Sequence, residues 1–420
     1  MNLVFKEYID FLKDNGVDIY KYNLREGCYW LDNQIIKCYD KKGQMHKIVR
    51  ICIDDKLNIT TKEYKNKPFE IESWQETVER NRVRLEQLEN DSLKLIKDSI
   101  DNHLFYYNII LSSGGKDSSV VTYLVKKVQP NTRIIFNNTT LDCADTYLHI
   151  KNIENVQIIN PKEGFYQWRE RLNFIPTRFS RACCSIFKEG AMIDTLDKKQ
   201  KCLFFMGMRN EESNTRANYG DVWKNEKWES RPWKAILPIR KWTEEDVWLY
   251  ILFRNIEINP KYKKGYARVG CAISCPFYSK STWVLDKYWY PKMYERWHNI
   301  LDEDFTKNNK DIIMNCTQDE YHTCWNGGVF RKEPTQEVIE QFAKRNGLDI
   351  NIAKKYFNHN CEDCGKRIKS KEVLAMNLKY NGRNTIKFFC KKDLMKRLNM
   401  TKELWESNVE RFKDSGCSLF

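Results

Sequence analysis

Tyr107-Asn-Ile-Ile-Leu-Ser-Ser-Gly-Gly-Lys-Asp-Ser-Ser-Val-Val121 is the stretch on which the fold turns. The apolar run Tyr107 to Leu111 ends in serines and two glycines, and Val120, Val121, Leu124 and Val125 then recur at helical spacing. The order is strand, glycine turn, helix start. Glycines let a backbone approach a polyanion, and the unpaired N–H groups of a helix start point at phosphate oxygens. Lys116 adds a point charge, and Ser113 and Ser118 add hydroxyl donors. A Walker-type loop needs G-x-x-x-x-G-K-[ST]; here Asp117 follows Lys116 and only Gly114 and Gly115 precede it, so that loop is excluded, and the dinucleotide fingerprint fails as well.

Outward from this loop, strands and helices alternate. Arg133 to Phe136, Val156 to Ile159 and Cys202 to Met206 read as strands, with helices from Asp117 and after Cys184. The pattern predicts a doubly wound parallel α/β sheet with ligands beyond the carboxyl ends of its strands. Ser73-Trp-Gln-Glu76 has capping-box spacing and opens a long helix to about Ile100; Thr243 caps another. Residues 1–72, which include the strand-like Lys47 to Ile53, form a small N-terminal α/β region of open role. The main domain is expected over 73–333. A helical linker from Pro334 to about Phe357 and a small C-terminal metal-binding module fill 334–420.

The 420 residues hold enough apolar surface for a substantial core, and 13% aromatic content excludes disorder over most of the length. Without a run of 18 apolar residues or a signal-peptide pattern at the start, the expectation is a cytoplasmic protein with no membrane partner. Fifteen cysteines then argue for metal or redox chemistry before structural disulfides. Cys183/Cys184, Cys271/Cys275 and Cys361/Cys364 are close pairs, whereas Cys28, Cys38, Cys52, Cys143 and Cys202 read as ordinary buried thiols. Net charge is +14, and residues 361–400 alone carry 11 Lys or Arg against 4 Asp or Glu. Attraction to a phosphate backbone and a merely solvated Lys-rich surface account for that segment equally well.

Cys361-Glu-Asp-Cys364-Gly365, followed by Phe389-Cys390-Lys-Lys-Asp393, has the spacing of a zinc ribbon or knuckle with Asp393 where a cysteine is usual. Carboxylate oxygen is an acceptable zinc ligand, so the expected set is Cys361, Cys364, Cys390 and Asp393 with Zn²⁺. Forty residues this polar need a metal to form a core.

The Ser113 to Ser118 string resembles the pyrophosphate loop of the ATP pyrophosphatase superfamily, which cleaves ATP between the α and β phosphates. Within that superfamily the chain is similar to the phosphoadenosine phosphosulfate (PAPS) reductase family in the broad sense, including the ATP-using sulfurtransferases of DNA phosphorothioation. The resemblance spans roughly residues 105 to 332 and its pieces keep the family's order: Asn138 to Tyr147, Gly207-Met-Arg-Asn-Glu-Glu-Ser-Asn-Thr-Arg216, Leu237 to Trp248, Asn259-Pro-x-Tyr262, and Gly265 to Pro276. It implies an adenine nucleotide α-hydrolase-like sheet. ATP would be held by Ser113, Gly114, Gly115, Lys116, Asp117 and Ser118, with Asn138 and Thr139 beside the adenosine and Arg209 and Arg216 facing anions. Lys116, Asp117 and Arg209 are then the catalytic residues, with Mg²⁺ assisting, and a structural ion pair of Arg209 with Glu211 or Glu212 is the alternative.

Family members that carry a [4Fe–4S] cluster use tandem cysteines and a later pair. The resemblance therefore implies Cys183, Cys184, Cys271 and Cys275 as ligands, although three residues rather than two separate the later pair here. Cys316 or Cys324 are alternatives for one ligand, and zinc or uncoordinated thiols are alternatives for the group. Arg181 and Lys188 flank the tandem cysteines and suit an anionic substrate. The implied activity is ATP-dependent adenylation of an acceptor, with sulfur transfer to nucleic acid, DNA or tRNA, from a cysteine desulfurase or other sulfur donor. Two rivals stay open: a PAPS or adenylyl-sulfate reductase using Cys417, and a nucleotide-sensing nucleic-acid-binding protein without turnover.

Overall fold

The computed structural model describes residues 1–414 apart from 179, 226, 227, 229, 327–333, 358, 383, 384 and 386. Cys417 therefore lies outside the described residues. The chain divides into two compact units, Met1–Leu172 with Cys183–Ala272 and Ser279–Pro291, and Asn173–Ala182 with Ile273–Tyr278 and Lys292–Phe420.

The first unit holds two sheets. The N-terminal one is an antiparallel meander of β1 (Asn2–Leu3), β2 (Tyr29–Asp32), β3 (Ile35–Tyr39), β4 (Met45–Ile53) and β5 (Ile59–Glu63) in sequence order. Asn33 and Gln34, both at positive φ, close the β2–β3 hairpin, since two left-handed residues match the twist of the flanking strands. Alternate residues Ile36, Cys38, Val49 and Ile51 meet Tyr8, Phe11 and Leu12 from α1 (Lys6–Asp14) in one buried cluster.

The helix expected after Ser73 is α2 (Trp74–Asp101), with the Ser73–Glu76 capping box formed in both directions. It leads into the second sheet: β6 (Tyr107–Leu111), β7 (Arg133–Asn137), β8 (Val156–Ile159), β9 (Cys202–Met206), β10 (Val222–Trp223) and β11 (Trp233–Ile236), in the order β10-β11-β9-β6-β7-β8. All neighbours are parallel except the β10–β11 edge pair.

The strands are buried on both faces, and their side chains alternate between two clusters. Ile110, Ile134, Leu203 and Phe205 face Val121, Leu124 and Val125 of α3 (Lys116–Val128), whereas Ile109, Ile135 and Phe204 face Ala191, Met192 and Trp228. This is the doubly wound arrangement that alternation of strand and helix predicts. Cys28, Cys38, Cys143 and Cys202 are buried thiols and Cys52 is half-buried.

In the second unit the expected linker from Pro334 is two helices, Gln336–Asn346 and Ile350–Phe357. Gly347, at φ +62°, ends the first in the left-handed conformation that only glycine adopts cheaply. Val338, Phe342, Ala353 and Phe357 bury the facing stripes of the pair. A separate core of Ile368, Val373, Met376, Phe388, Leu394 and Trp405 lies in the C-terminal module. Among the described residues no helix is long and apolar enough to cross a membrane.

Candidate active site

The sequence runs β6, β7, β8 to one side of the sheet and then crosses to β9 on the other side of β6. A crevice opens at such a reversal, beyond the carboxyl ends of the strands. It is a cavity of about 670 Å³ whose floor is the loop after β6.

Local bonds fix that loop. The Gly114 N–H donates to Ser112 Oγ at 3.2 Å, the Lys116 N–H to the Tyr262 hydroxyl at 3.0 Å, and Ser118 Oγ to the Gly115 carbonyl at 2.8 Å. Gly114 sits at φ +70°, where a side chain would be strained. Ser118, expected as a phosphate donor, thus spends its hydroxyl on shaping the helix start, while Ser113, Gly115, Lys116, Asp117 and Ser118 all line the cavity. Tyr262 holds the loop from behind, and the Asn2 amide donates to the carbonyls of both Tyr262 and Tyr266 at 3.0 Å.

Gly207, the first residue after β9, packs directly on the first turn of α3. A Cβ there would lie 2.7 Å from the Asp117 carbonyl carbon and 2.9 Å from the Ser118 nitrogen.

Five basic and five acidic side chains line the cavity: Lys116, Lys188, Arg209, Arg216 and Arg268 against Asp117, Asp142, Glu211, Glu212 and Glu244. Lys116, 4% exposed, pairs with Asp117 at 3.0 Å and Glu244 at 3.2 Å. Burial works to lower its pKa, but Tyr262, Asp117 and Glu244 outweigh that and hold the ammonium above its ordinary value, fully charged.

Arg209, also 4% exposed, pairs with Asp117 at 2.5 Å and with Glu211. Burial pushes the Asp117 carboxyl up, yet Lys116 and Arg209 bring it below its ordinary value. Arg209 thus both faces the cavity and makes the ion pair weighed as its alternative. Arg216 pairs with Glu212 on the rim. Asp142 differs: burial raises its carboxyl pKa, opposed by a 2.6 Å bond from Thr139 and by Lys261 and Lys188.

Asn138 is not among the lining residues. Its Oδ1 accepts from the Thr140 N–H and the Tyr147 hydroxyl, both at 2.8 Å, and its neighbours Asn137 and Thr139 line the cavity instead. Sequence reasoning gave no role to Tyr262, Asp142, Glu244 or Arg268. Tyr262 stood within a quoted motif, but nothing local ties it to a loop 146 residues earlier.

Cys183 and Cys271, in the first unit, are 9% and 8% exposed; Cys184, at the start of the π-helical turn Cys184–Gly190, is half-buried. Cys275, half-buried, belongs to the second unit. Lys188 lies on the same π-helical turn and lines the cavity; its carbonyl accepts from the Asn137 amide at 2.7 Å. Arg181 lies over the Phe277 ring. Cys361, Cys364, Cys390 and Asp393 do converge, their ligand atoms all within 4.8 Å of one another.

Fold and site together define a doubly wound α/β protein with a glycine loop, Lys116 and Arg209 gathered at its switch point. Residues 107–276 match the model of the phosphoadenosine phosphosulfate reductase domain. The chain is 30% identical to an adenosine 5'-phosphosulfate reductase of Oceanobacillus iheyensis, over 38% of this chain and 67% of that enzyme. It belongs to the PAPS reductase family, and its curated relatives include enzymes, the adenosine 5'-phosphosulfate reductases.

It is also 31% identical to an uncharacterized protein of Methanocaldococcus jannaschii over 57% of this chain, and spans 60% of that relative's length. A solved U34-tRNA thiolase from Methanococcus maripaludis with its [4Fe–4S] cluster is 17% identical, at a TM-score of 0.31 over 50% of this chain and 80% of that one.

Proposed function

We propose that the cavity binds ATP and that the protein adenylates an acceptor oxygen, releases pyrophosphate and replaces AMP with sulfur on a nucleic acid. What carries this reading is the convergence of Lys116 and Arg209 on the glycine loop at the carboxyl end of β6. In the first step the acceptor oxygen bonds to the α phosphorus and the bond to the bridging oxygen breaks. Charge then builds on that oxygen as pyrophosphate leaves. The Lys116 ammonium and the Arg209 guanidinium are buried and already oriented, so they stabilise this charge with little reorganisation.

Because every base of the loop region is matched by a carboxylate, the nucleotide would enter with Mg²⁺. Asp117, Glu211 and Glu244 offer the hard oxygen ligands such an ion takes. Cys183, Cys184 and Cys271, all in the first unit, supply soft thiolates of the kind that suits a [4Fe–4S] cluster, which would contribute the site for sulfur. A cysteine desulfurase or other donor would provide the sulfur.

The test is anaerobic incubation of cluster-intact protein with ATP, Mg²⁺ and total cellular nucleic acid, followed by quantitation of AMP and pyrophosphate. Both products are expected in equal amounts. The relatives named adenosine 5'-phosphosulfate reductase favour a second reading, reduction of a sulfonucleotide with release of sulfite. Sulfite from adenosine 5'-phosphosulfate, with no pyrophosphate from ATP, would decide for it.

A further inference from the structure

The C-terminal module has a construction of its own. Cys361 and Cys364 lie on a tight turn in which the Cys361 N–H donates to the Lys366 carbonyl and the Gly365 N–H to the Cys361 carbonyl, both at 2.8 Å, with Gly365 at φ +69°. Cys390 and Asp393 open the helix Lys391–Arg397, where the Leu394 N–H donates to the Cys390 carbonyl at 2.8 Å. A bridge between Cys361 and Phe388, with the Glu362 N–H on the Phe388 carbonyl at 2.9 Å, sets the two halves side by side. Arg397 clamps them from outside, bonded to Asp363 at 3.0 and 2.6 Å and stacked over Phe389 at 4.1 Å.

The ligand atoms have the spacing of a single ion. Cys364 and Cys390 sulfurs are 3.8 Å apart, and Asp393 Oδ2 is 3.1 Å from the Cys361 sulfur and 3.0 Å from that of Cys390. A tetrahedral zinc with ordinary bond lengths has S···S edges of about 3.8 Å and S···O edges of about 3.5 Å. The Cys364–Cys390 edge already matches, and Asp393 would draw back from the Cys361 and Cys390 sulfurs by about half an ångström on those bond lengths. Three thiolates exclude magnesium and calcium, which take oxygen ligands. Ligand atoms this close fit one ion rather than a multi-iron cluster.

The core beneath is small, built on Ile368, Val373, Met376, Phe388, Leu394 and Trp405, and Cys361 itself is part of it. A core of that size rarely sustains a fold without a metal or disulfide.

We infer that Cys361, Cys364, Cys390 and Asp393 bind one Zn²⁺ tetrahedrally and that this ion holds the segment from Cys361 to Asp414 folded. The inference goes beyond the adenylation reading and does not rest on it.

The test uses the full chain. Elemental analysis of protein from zinc-supplemented cells should give one zinc per chain, lost in the double variant Cys361→Ser/Cys390→Ser. Hydrogen exchange should show the helices Lys371–Tyr380 and Lys391–Arg397 losing protection at least 100-fold in that variant, with α3 unchanged. Should the double variant fail to accumulate, Co²⁺ exchanged into the parent protein gives a second readout. The expected spectrum is tetrahedral with three thiolates, shifting to a four-thiolate spectrum in Asp393→Cys. Absence of stoichiometric zinc, a six-coordinate cobalt spectrum, or protection that survives loss of the metal would overturn the inference.

Discussion

Gly207→Ala tests the site through geometry alone. The added Cβ would sit 2.7 Å from the Asp117 carbonyl carbon, 2.8 Å from its oxygen and 2.9 Å from the Ser118 nitrogen, all backbone of the first turn of α3. Favourable carbon contacts begin at about 3.5 Å, so β9 and the helix start must separate by about 0.8 Å. Neither partner is a flexible side chain, so the movement falls on the turn that carries Lys116 and Asp117. Overpacking of this kind costs about 1–3 kcal/mol, and a displacement near 1 Å at a reacting group costs about 10²-fold in rate.

The backbone of Gly207 is not left-handed, so no conformational strain contributes and the whole effect is steric. AMP formation at saturating ATP, followed alongside urea unfolding, should show both losses. A variant that turns over within twofold of the parent and unfolds at the same urea concentration would refute the claim that Gly207 sets the position of the loop.

Three further outcomes are expected. Lys116→Ala removes the charged donor between Asp117 and Glu244, and pyrophosphate release should fall about 10²- to 10³-fold; undiminished release would remove Lys116 from the reaction. Tyr262→Phe deletes the acceptor for the Lys116 N–H and should cost about 1 kcal/mol in unfolding experiments and weaken nucleotide binding, whereas tighter binding would contradict its supporting role.

Asp286 carries a pH signature. Its carboxyl is pushed up from 3.8 to about 6 by burial, against Lys261 and a 2.8 Å bond from the Tyr266 hydroxyl. Between those values the folded chain keeps a proton that the unfolded chain has released, so stability falls as pH rises, by on the order of 3 kcal/mol. Asp286→Asn should abolish that loss. Its advantage over the parent should grow from near zero at about pH 4 to full size by about pH 7 in paired urea melts, and a pH-independent difference would count against it.

The sequence was most informative where the physics is local. Short apolar runs and capping residues announced β6 to β9 and the Ser73 and Thr243 helix starts, each settled within a few residues, and the alternation of strand with helix announced the sheet's parallel class. The glycine loop was legible for the same reason, and so was the Cys361–Asp393 group, since metal-ligand spacing survives in one dimension.

Local pattern could not show that Asn138 is absent from the cavity lining while Asn137 and Thr139 belong to it, because that depends on how the chain turns after the last ladder pair, Asn137 with Ile159. Nor could it show Tyr262 under the loop or Glu244 beside Lys116, contacts that join segments more than a hundred residues apart. The break at Gly347 was in plain view, but a single glycine within a helical pattern does not by itself announce a left-handed end.

The two bonds from Asn2 reach the carbonyls of Tyr262 and Tyr266, and the Tyr262 hydroxyl in turn receives the N–H of Lys116. The edge strand of the N-terminal meander is therefore one residue removed from the glycine loop. A fragment begun at residue 73, where a motif-based boundary would be drawn, would keep every residue of the loop and lose the strut behind it. Such a fragment should fold its central sheet yet hold nucleotide poorly. On the adenylation reading, the smallest unit expected to bind nucleotide tightly is larger than the matched residues 107–276 and includes the meander.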